Sequence, residues 1–179
     1  MDSEEFLQAY DQLADAIFRH CFFRVYDREE AKDLVQETFI RGWGYIAKGK
    51  EVQNLKALLY KIANNLIIDG SRRKKTASLD ELREHGFDPG EDKQDELEAR
   101  IAAREVMPIL QGIEPAYRQV VVMRYIDDMP PAEIASVLNE SENAVSVRLR
   151  RAEKKLRTLA GDKGMATMDL KMQNSKIKI

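Results

Sequence analysis

Few residues in this chain are suited to covalent chemistry. Its 179 residues include two histidines and one cysteine, and no spacing gathers a nucleophile, a base and an orienting group. No glycine-rich phosphate loop is present. His20 and Cys21 adjoin in Arg19-His20-Cys21-Phe22, but two neighbouring donors without a second cluster make a poor metal site. Cys21 reads instead as a small buried thiol on a helix face. Neither an enzyme, a metal nor a cofactor is expected. A lone cysteine allows no intrachain disulfide and fits a reducing, cytoplasmic setting. No apolar run approaches the roughly 18 residues of a membrane span, and the N-terminus lacks the plan of a signal peptide.

The chemistry the chain does carry is charge in patches. The net charge of -2 hides them. Residues 1–70 hold 9 basic and 12 acidic side chains; Ser71–Thr76 is SRRKKT, with four basic and none acidic. Residues 77–105 hold 4 basic and 10 acidic, and residues 142–158 hold 6 basic and 2 acidic. Two basic patches flank an acidic middle, and a phosphate backbone responds to the local field, not the mean.

The second basic patch lies in a helix-turn-helix pattern from Pro131 to Arg157. Ile134, Ala135 and Leu138 line the inner face of a short helix, and Ala135 is small enough for two helices to cross closely. Asn139 stands at the turn, where its tolerance of a left-handed backbone serves. Ser141 can cap the next helix, which Val145 and Leu149 pack onto the core. Asn143, Ser146, Arg150 and Arg151 are then left to face a major groove. Arg148, Lys154, Lys155 and Arg157 extend the positive surface.

The elements that must position these patches read as helices throughout. Phe6, Leu7, Tyr10, Leu13, Ala14, Ile17 and Phe18 recur at helical spacing. Asp27 caps a second helix to about Tyr45, with Glu30 in capping-box position and Ala31, Leu34, Val35, Thr38, Phe39 and Trp43 as its apolar stripe. Gly42, Gly44 and Gly49 lead into a loop around Lys48–Gln53. Asn54 caps a third helix whose apolar face is Leu55, Leu58, Leu59, Ile62, Leu66 and Ile67, and which runs past Asp69 into Arg72–Lys75. Its outward side includes Tyr60, Lys61, Asn64, Asn65 and Asp69. Residues 76–95, rich in acids with Gly86, Pro89 and Gly90, read as a flexible linker with a short helical turn at Leu79–Leu82. Periodicity returns from Glu96, Pro115 opens a further helix, and residues 161–179 read as a loose tail. The expectation is an all-α protein of two small domains, 1–75 and 96–160.

Three motifs carry a family resemblance. Asp33-Leu-Val-Gln-Glu-Thr-Phe39, followed by Trp43, closely resembles the signature of the sigma-70 superfamily, in its compact extracytoplasmic-function group. Ala57-Leu-Leu-Tyr-Lys-Ile-Ala-Asn-Asn-Leu-Ile-Ile-Asp69 and Arg72-Arg73 resemble that group's promoter-melting helix. Pro115–Arg118, Val120, Arg124-Tyr125, Glu133-Ile-Ala135 and Arg148 to Arg157 resemble its −35-reading domain. The resemblance runs from about Phe6 to Leu159. It implies a sigma region 2 bundle and a sigma region 4 helix-turn-helix joined by the acidic linker. It places core RNA polymerase (β′ clamp helices) against Asp33, Gln36 and Glu37, with the β flap as a further contact. It places −10 DNA against Tyr60, Lys61, Asn64, Asn65, Asp69, Arg72 and Arg73, and near the Lys48–Asn54 loop. It places −35 DNA against Asn143, Ser146, Arg148, Arg150, Arg151 and Lys155. An anti-sigma factor is the implied regulator.

The chain departs from the pattern at Leu58, where the family often has Trp, and at Asn139, Glu140, Ala144 and Val147 around the turn. The last four bear on which promoter is read. A stand-alone helix-turn-helix regulator would share the C-terminal pattern without needing Asp33, Gln36 or Glu37. An adaptor that binds polymerase without reading promoters would share the N-terminal one.

Overall fold

The computed structural model describes residues 2–77 and 106–174, with side chains to Lys74 in the first stretch and to Ala160 in the second. Every regular element among them is helical. The chain divides into two compact units, Met1–Asp88 and Pro89–Ile179. That division falls inside the segment read as a linker, 76–95, of which Thr76 and Ala77 still belong to the third helix; the rest, with the helical turn expected at Leu79–Leu82, lies outside the described residues.

The first unit contains α1 (Ser3–Val25), α2 (Arg28–Ala47) and α3 (Leu55–Ala77), each packed on the other two. Asp2 starts α1 with a full capping box: it accepts from the Glu4 and Glu5 backbone N–H groups, and Glu5 accepts from its own. Asp27 accepts from the Glu30 N–H at 2.9 Å and Asn54 from the Ala57 N–H at 2.9 Å, so both expected caps are made. The Glu30 carboxylate also pairs with Lys74, tying the start of α2 to the basic end of α3.

Core and surface differ from the periodicity in instructive places. Ile17, His20, Cys21, Phe22 and Phe23 fill the core with Ala31, Val35, Phe39, Leu59, Tyr60, Ala63 and Ile67. Leu58 is only half-buried, though a core place was expected for it. Leu7, Tyr10, Ile40 and Trp43 stay exposed.

Gly42 lies within α2, which continues to Ala47; the turn falls to Gly49, at φ +72°. Gly42 serves close packing. A Cβ there would stand 2.8 Å from Leu59 Cδ2 and 3.7 Å from Phe6. Gly42→Ala is expected to cost about 1–3 kcal/mol through this overpacking. Denaturant unfolding followed by the fluorescence of Trp43, the sole tryptophan, checks it; an unchanged midpoint refutes it.

The second unit contains α4 (described over 106–111), α5 (Pro115–Val121), α6 (Pro131–Leu138) and α7 (Glu142–Asn174). Arg118 fixes the α4–α5 corner. Its guanidinium donates to the carbonyls of Leu110 (2.8 Å) and Gln111 (3.3 Å) in the last turn of α4, and of Ile113 (3.1 Å) in the loop that follows. After Val121 the helix widens into a π-helical turn, Val122–Ile126, where a regular helix was expected. Within and just after this turn Met123 and Met129 are both fully buried, and the Met129 N–H still reaches the Met123 carbonyl at 3.0 Å.

Helix α7 runs to Asn174, beyond the Leu159 boundary expected for it, so residues 161–174 are helical and not a loose tail. Gly161 and Gly164 each disfavour helix by about 1 kcal/mol relative to Ala. Extending a helix that is already nucleated and packed needs no new nucleus, and no proline interrupts the stretch.

Candidate functional site

Three helical faces carry the residues singled out by the sequence. On α2 the buried side is Ala31, Val35, Thr38, Phe39 and Gly42. At 100° per residue, Asp33, Gln36, Glu37 and Ile40 fall on the opposite side. Asp33 and Gln36 are exposed, and Glu37 is half-exposed with its carboxylate held by Arg41 Nε at 2.6 Å. Arg41 therefore offsets the repulsion between Asp33 and Glu37. The sequence reading missed the apolar part of this face. Ile40 and Trp43 are 66% and 38% exposed, and on α1 Leu7 and Tyr10 are 64% and 40% exposed. The Trp43 ring lies 5.3 Å from Phe6, and Tyr10 lies 4.6 Å from Phe39, so the α1–α2 seam is edged with apolar groups. Helical spacing put Leu7, Tyr10 and Trp43 in the apolar stripes and gave no sign that they sit at the rim of the core.

On α3 the expected outward set splits. Lys61, Asn65, Asp69, Arg72 and Arg73 are exposed. Tyr60 and Asn64 are not: they are 1% and 4% exposed. Their outward placement is corrected, because both sit on the stripe with Leu59, Ala63 and Ile67 that α1 covers. Tyr60 meets His20 edge to face, centroids 5.1 Å apart at 82°. Asn64 Oδ1 accepts from Arg24 at 3.2 Å, which satisfies the buried amide oxygen. In the loop after α2, Lys48 and Lys50 are exposed, with the Lys50 ammonium 4.6 Å from the Tyr45 ring.

The helix-turn-helix forms as its sequence pattern requires. Asn139 takes the left-handed conformation, φ 55° and ψ 46°. The Glu140 N–H returns to the Ala135 carbonyl at 3.0 Å, and Ser141 Oγ caps the Ala144 N–H at 3.2 Å. Val145, Leu149, Ala152 and Leu156 bury the inner face of α7; Ile134, Ala135 and Val137 do so for α6, with Leu138 half-buried. Asn143, Arg150, Arg151 and Lys154 are exposed on the outer face of α7, and Ser146 is half-exposed on its flank.

Arg148 and Lys155 occupy the other flank, and each has an acidic partner. Arg148 pairs with Glu140 and reaches Gln119 Oε1 at 3.5 Å. Lys155 pairs with Glu114 and lies 5.1 Å from the Tyr117 ring. On the inner side Glu153 accepts from the Tyr125 hydroxyl at 2.7 Å.

The hydrogen bond from Lys155, helped by a backbone N–H, holds the Glu114 carboxyl below its ordinary value of 4.5. A depressed carboxyl favours the folded state above its unfolded pKa, and that contribution disappears as pH falls through the depressed value. The Glu114 carboxyl is expected to titrate by NMR below 4.5 in the native protein and to move up in Lys155→Met. An identical midpoint in the two proteins refutes the pairing in solution.

Residues 9–77 match the family model of sigma-70 region 2, and residues 103–156 match that of sigma-70 region 4. The chain belongs to the sigma-70 family. Its relatives place it in the extracytoplasmic-function (ECF) group. It is 27% identical over 166 residues to the ECF RNA polymerase sigma factor SigW of Bacillus subtilis, covering 87% of this chain and 89% of that one. It is also 27% identical over 157 residues to the ECF sigma factor SigL of Mycobacterium tuberculosis, with the same shares covered. Two solved structures share its fold. One is the sigma factor RpoE with the anti-sigma factor NepR from Bartonella quintana (TM-score 0.66, 20% identity, 89% of this chain and 99% of that one). The other is CnrH with the cytosolic domain of CnrY (TM-score 0.64, 24% identity, 88% of each).

Region 2 thus spans most of α1 and all of α2 and α3, and region 4 ends within α7 just past Lys155. The acidic and apolar face of α2 belongs to the first, and the basic outer face of α7 to the second. Among the described residues no group of His, Cys, Asp and Glu is disposed to hold a metal, and no helix is long and apolar enough to cross a membrane.

Proposed function

We propose that this chain binds core RNA polymerase and directs it to promoters, as a non-enzymatic specificity factor. One observation carries the reading: two sigma regions on one chain present chemically opposite helical faces. The region 2 face, Asp33, Gln36 and Glu37 with exposed Ile40, is acidic and apolar and suits a basic, partly apolar protein partner. The β′ clamp helices of polymerase are that partner, with the β flap as a second contact. The region 4 face, Asn143, Ser146, Arg150 and Arg151, suits a duplex major groove at the −35 element.

The exposed side of α3 suits a melted −10 strand. Lys61, Arg72 and Arg73 supply a positive track, and Asn65 supplies an amide for an unpaired base. Tyr60 and Asn64 act behind this surface, from the core. The domains are residues 1–75 and 96–160, with 76–95 as the acidic linker, which would avoid DNA. An anti-sigma factor controls the chain. Support comes from the RpoE relative, whose structure holds the anti-sigma factor NepR, and from the exposed apolar rim of Leu7, Tyr10, Ile40 and Trp43, which a free surface would not favour.

Run-off transcription with bacterial core polymerase, on a pool of genomic promoter fragments from the source organism, tests the reading. Discrete transcripts are expected only when the protein is added. Binding to core enzyme without transcripts would point to an adaptor; duplex binding without core binding would point to a stand-alone regulator.

A further inference from the structure

We propose that Arg148 is a positioning residue: it fastens α7 to the body of region 4 and does not touch DNA. The inference rests on the reading above that α7 is the helix facing duplex DNA. It removes Arg148 from the contact set that family resemblance assigns to it.

The Arg148 side chain is 24% exposed, and its guanidinium pairs with the Glu140 side chain, 31% exposed, in the turn that leads into α7. A second nitrogen of the same group points at Gln119 Oε1, 3.5 Å away on α5. Gln119 is 8% exposed. One planar fork therefore joins three segments: the α6–α7 turn, α7 and α5. Lysine offers a point charge on a flexible stem and does not reproduce this geometry.

Arg150 and Arg151 differ in both respects. They are exposed, and among the described residues none pairs with them. A guanidinium that already shares its charge with a carboxylate gives little net field to a phosphate. To touch DNA, Arg148 would also have to give up its contact with α5.

The flank as a whole supports this division of labour. Lys155 follows Arg148 by seven residues, two turns along the same side of α7. It is held by Glu114 and lies over the Tyr117 ring, both at the start of α5. Two cations on one flank thus bind the helix to its own domain. The turn acid, Glu140, stands where the family usually has an apolar residue. The angle at which α7 enters the groove is in this chain set by an ion pair in addition to core packing. Arg151, about 60° further round the helix at 100° per residue, is left to meet phosphate or base.

The test uses holoenzyme reconstituted from the full chain and core polymerase, on a promoter recovered by run-off transcription. Each phosphate of the −35 segment is replaced in turn by a neutral methylphosphonate, and binding is measured for wild type, Arg151→Ala, Arg148→Ala, Arg148→Lys and Glu140→Gln. Arg151→Ala is expected to bind roughly tenfold more weakly and to become blind to one or two replacements, those it contacted. Arg148→Ala is expected to bind about 10- to 100-fold more weakly, the scale of losing a charge-assisted hydrogen-bond partner, yet to remain sensitive at every phosphate that wild type senses. Arg148→Lys should not restore binding.

Glu140→Gln keeps the Arg148 charge and releases its partner, so it covers the case in which Arg148→Ala does not fold. It should create no new sensitive phosphate. A phosphate to which Arg148→Ala is blind, a new sensitive phosphate in Glu140→Gln, or full affinity in Arg148→Ala would each overturn the proposal. If wild type itself is indifferent to all the replacements, the reading of α7 as the DNA-facing helix is what fails.

Discussion

Tyr60→Ala is expected to remove about 3–5 kcal/mol from the first unit, the range for truncating a large buried aromatic. Small domains have little stability to lose, since total folding free energies run to about 5–15 kcal/mol and small units bury a smaller fraction of their surface. Tyr60 is 1% exposed, and its ring closes the junction of α1 and α3 against His20. Tyr60→Phe keeps the ring and is expected to lose no more than about 1.5 kcal/mol, the scale of one hydrogen bond. The measurement is guanidinium unfolding of the full chain followed by Trp43 fluorescence. Trp43 is the only tryptophan and lies on α2, so its signal follows the first unit alone. Substantial unfolding in Tyr60→Ala would place any transcription defect in the fold. A wild-type midpoint combined with loss of single-stranded −10 binding would instead make Tyr60 a stacking platform, and its burial would be wrong.

This residue also marks where the sequence stops being legible. Helix positions, caps and the turn were readable because their causes are local. Asp27, Asn54 and Ser141 cap because their oxygens reach N–H groups three residues on. Asn139 turns left-handed because its side chain tolerates that backbone. Tyr60 and Asn64 misled because a tyrosine and an asparagine each have a polar end, and polarity alone suggests an outward place. What buries them is non-local: His20 and Arg24, on a helix some forty residues earlier. Trp43 misled in the opposite sense: by type and spacing it joins the apolar stripe of α2, yet it stays at the rim, 38% exposed. The charged flank of α7 was legible as basic but not as paired, since Glu114 lies 41 residues before Lys155. The stretch beyond Gly161 misled because its polar, Met-rich composition shows no clear period, whereas what carries it to Asn174 is the helix already formed before it.

Glu37→Lys is expected to weaken binding to core polymerase at least about 30-fold, within the 2–5 kcal/mol typical when one partner of an interfacial charge pair is lost. The position is chosen by geometry. Glu37 lies on the outward stripe of α2 with Asp33, Gln36 and Ile40, and its carboxylate is held by the exposed Arg41 at 2.6 Å. Reversal sets a second positive charge beside Arg41 at i, i+4, which disturbs the helix by only a few tenths of a kcal/mol. The fold should therefore survive, with an unchanged Trp43 unfolding midpoint. DNA binding by region 4 should be unchanged too, since α7 belongs to the other unit. Ile40→Ala separates the two parts of the face. The Ile40 side chain is 66% exposed, and covering it at an interface is worth about 1–2 kcal/mol, so its truncation should slow docking little and speed release. Glu37→Lys should act on both rates, and more weakly as salt rises. If Glu37→Lys binds core enzyme as well as wild type does while Ile40→Ala does not, the docking surface is the apolar rim of α1 and α2 and the acidic stripe is only solvated. If neither variant matters, region 2 of this chain does not meet polymerase through α2 at all.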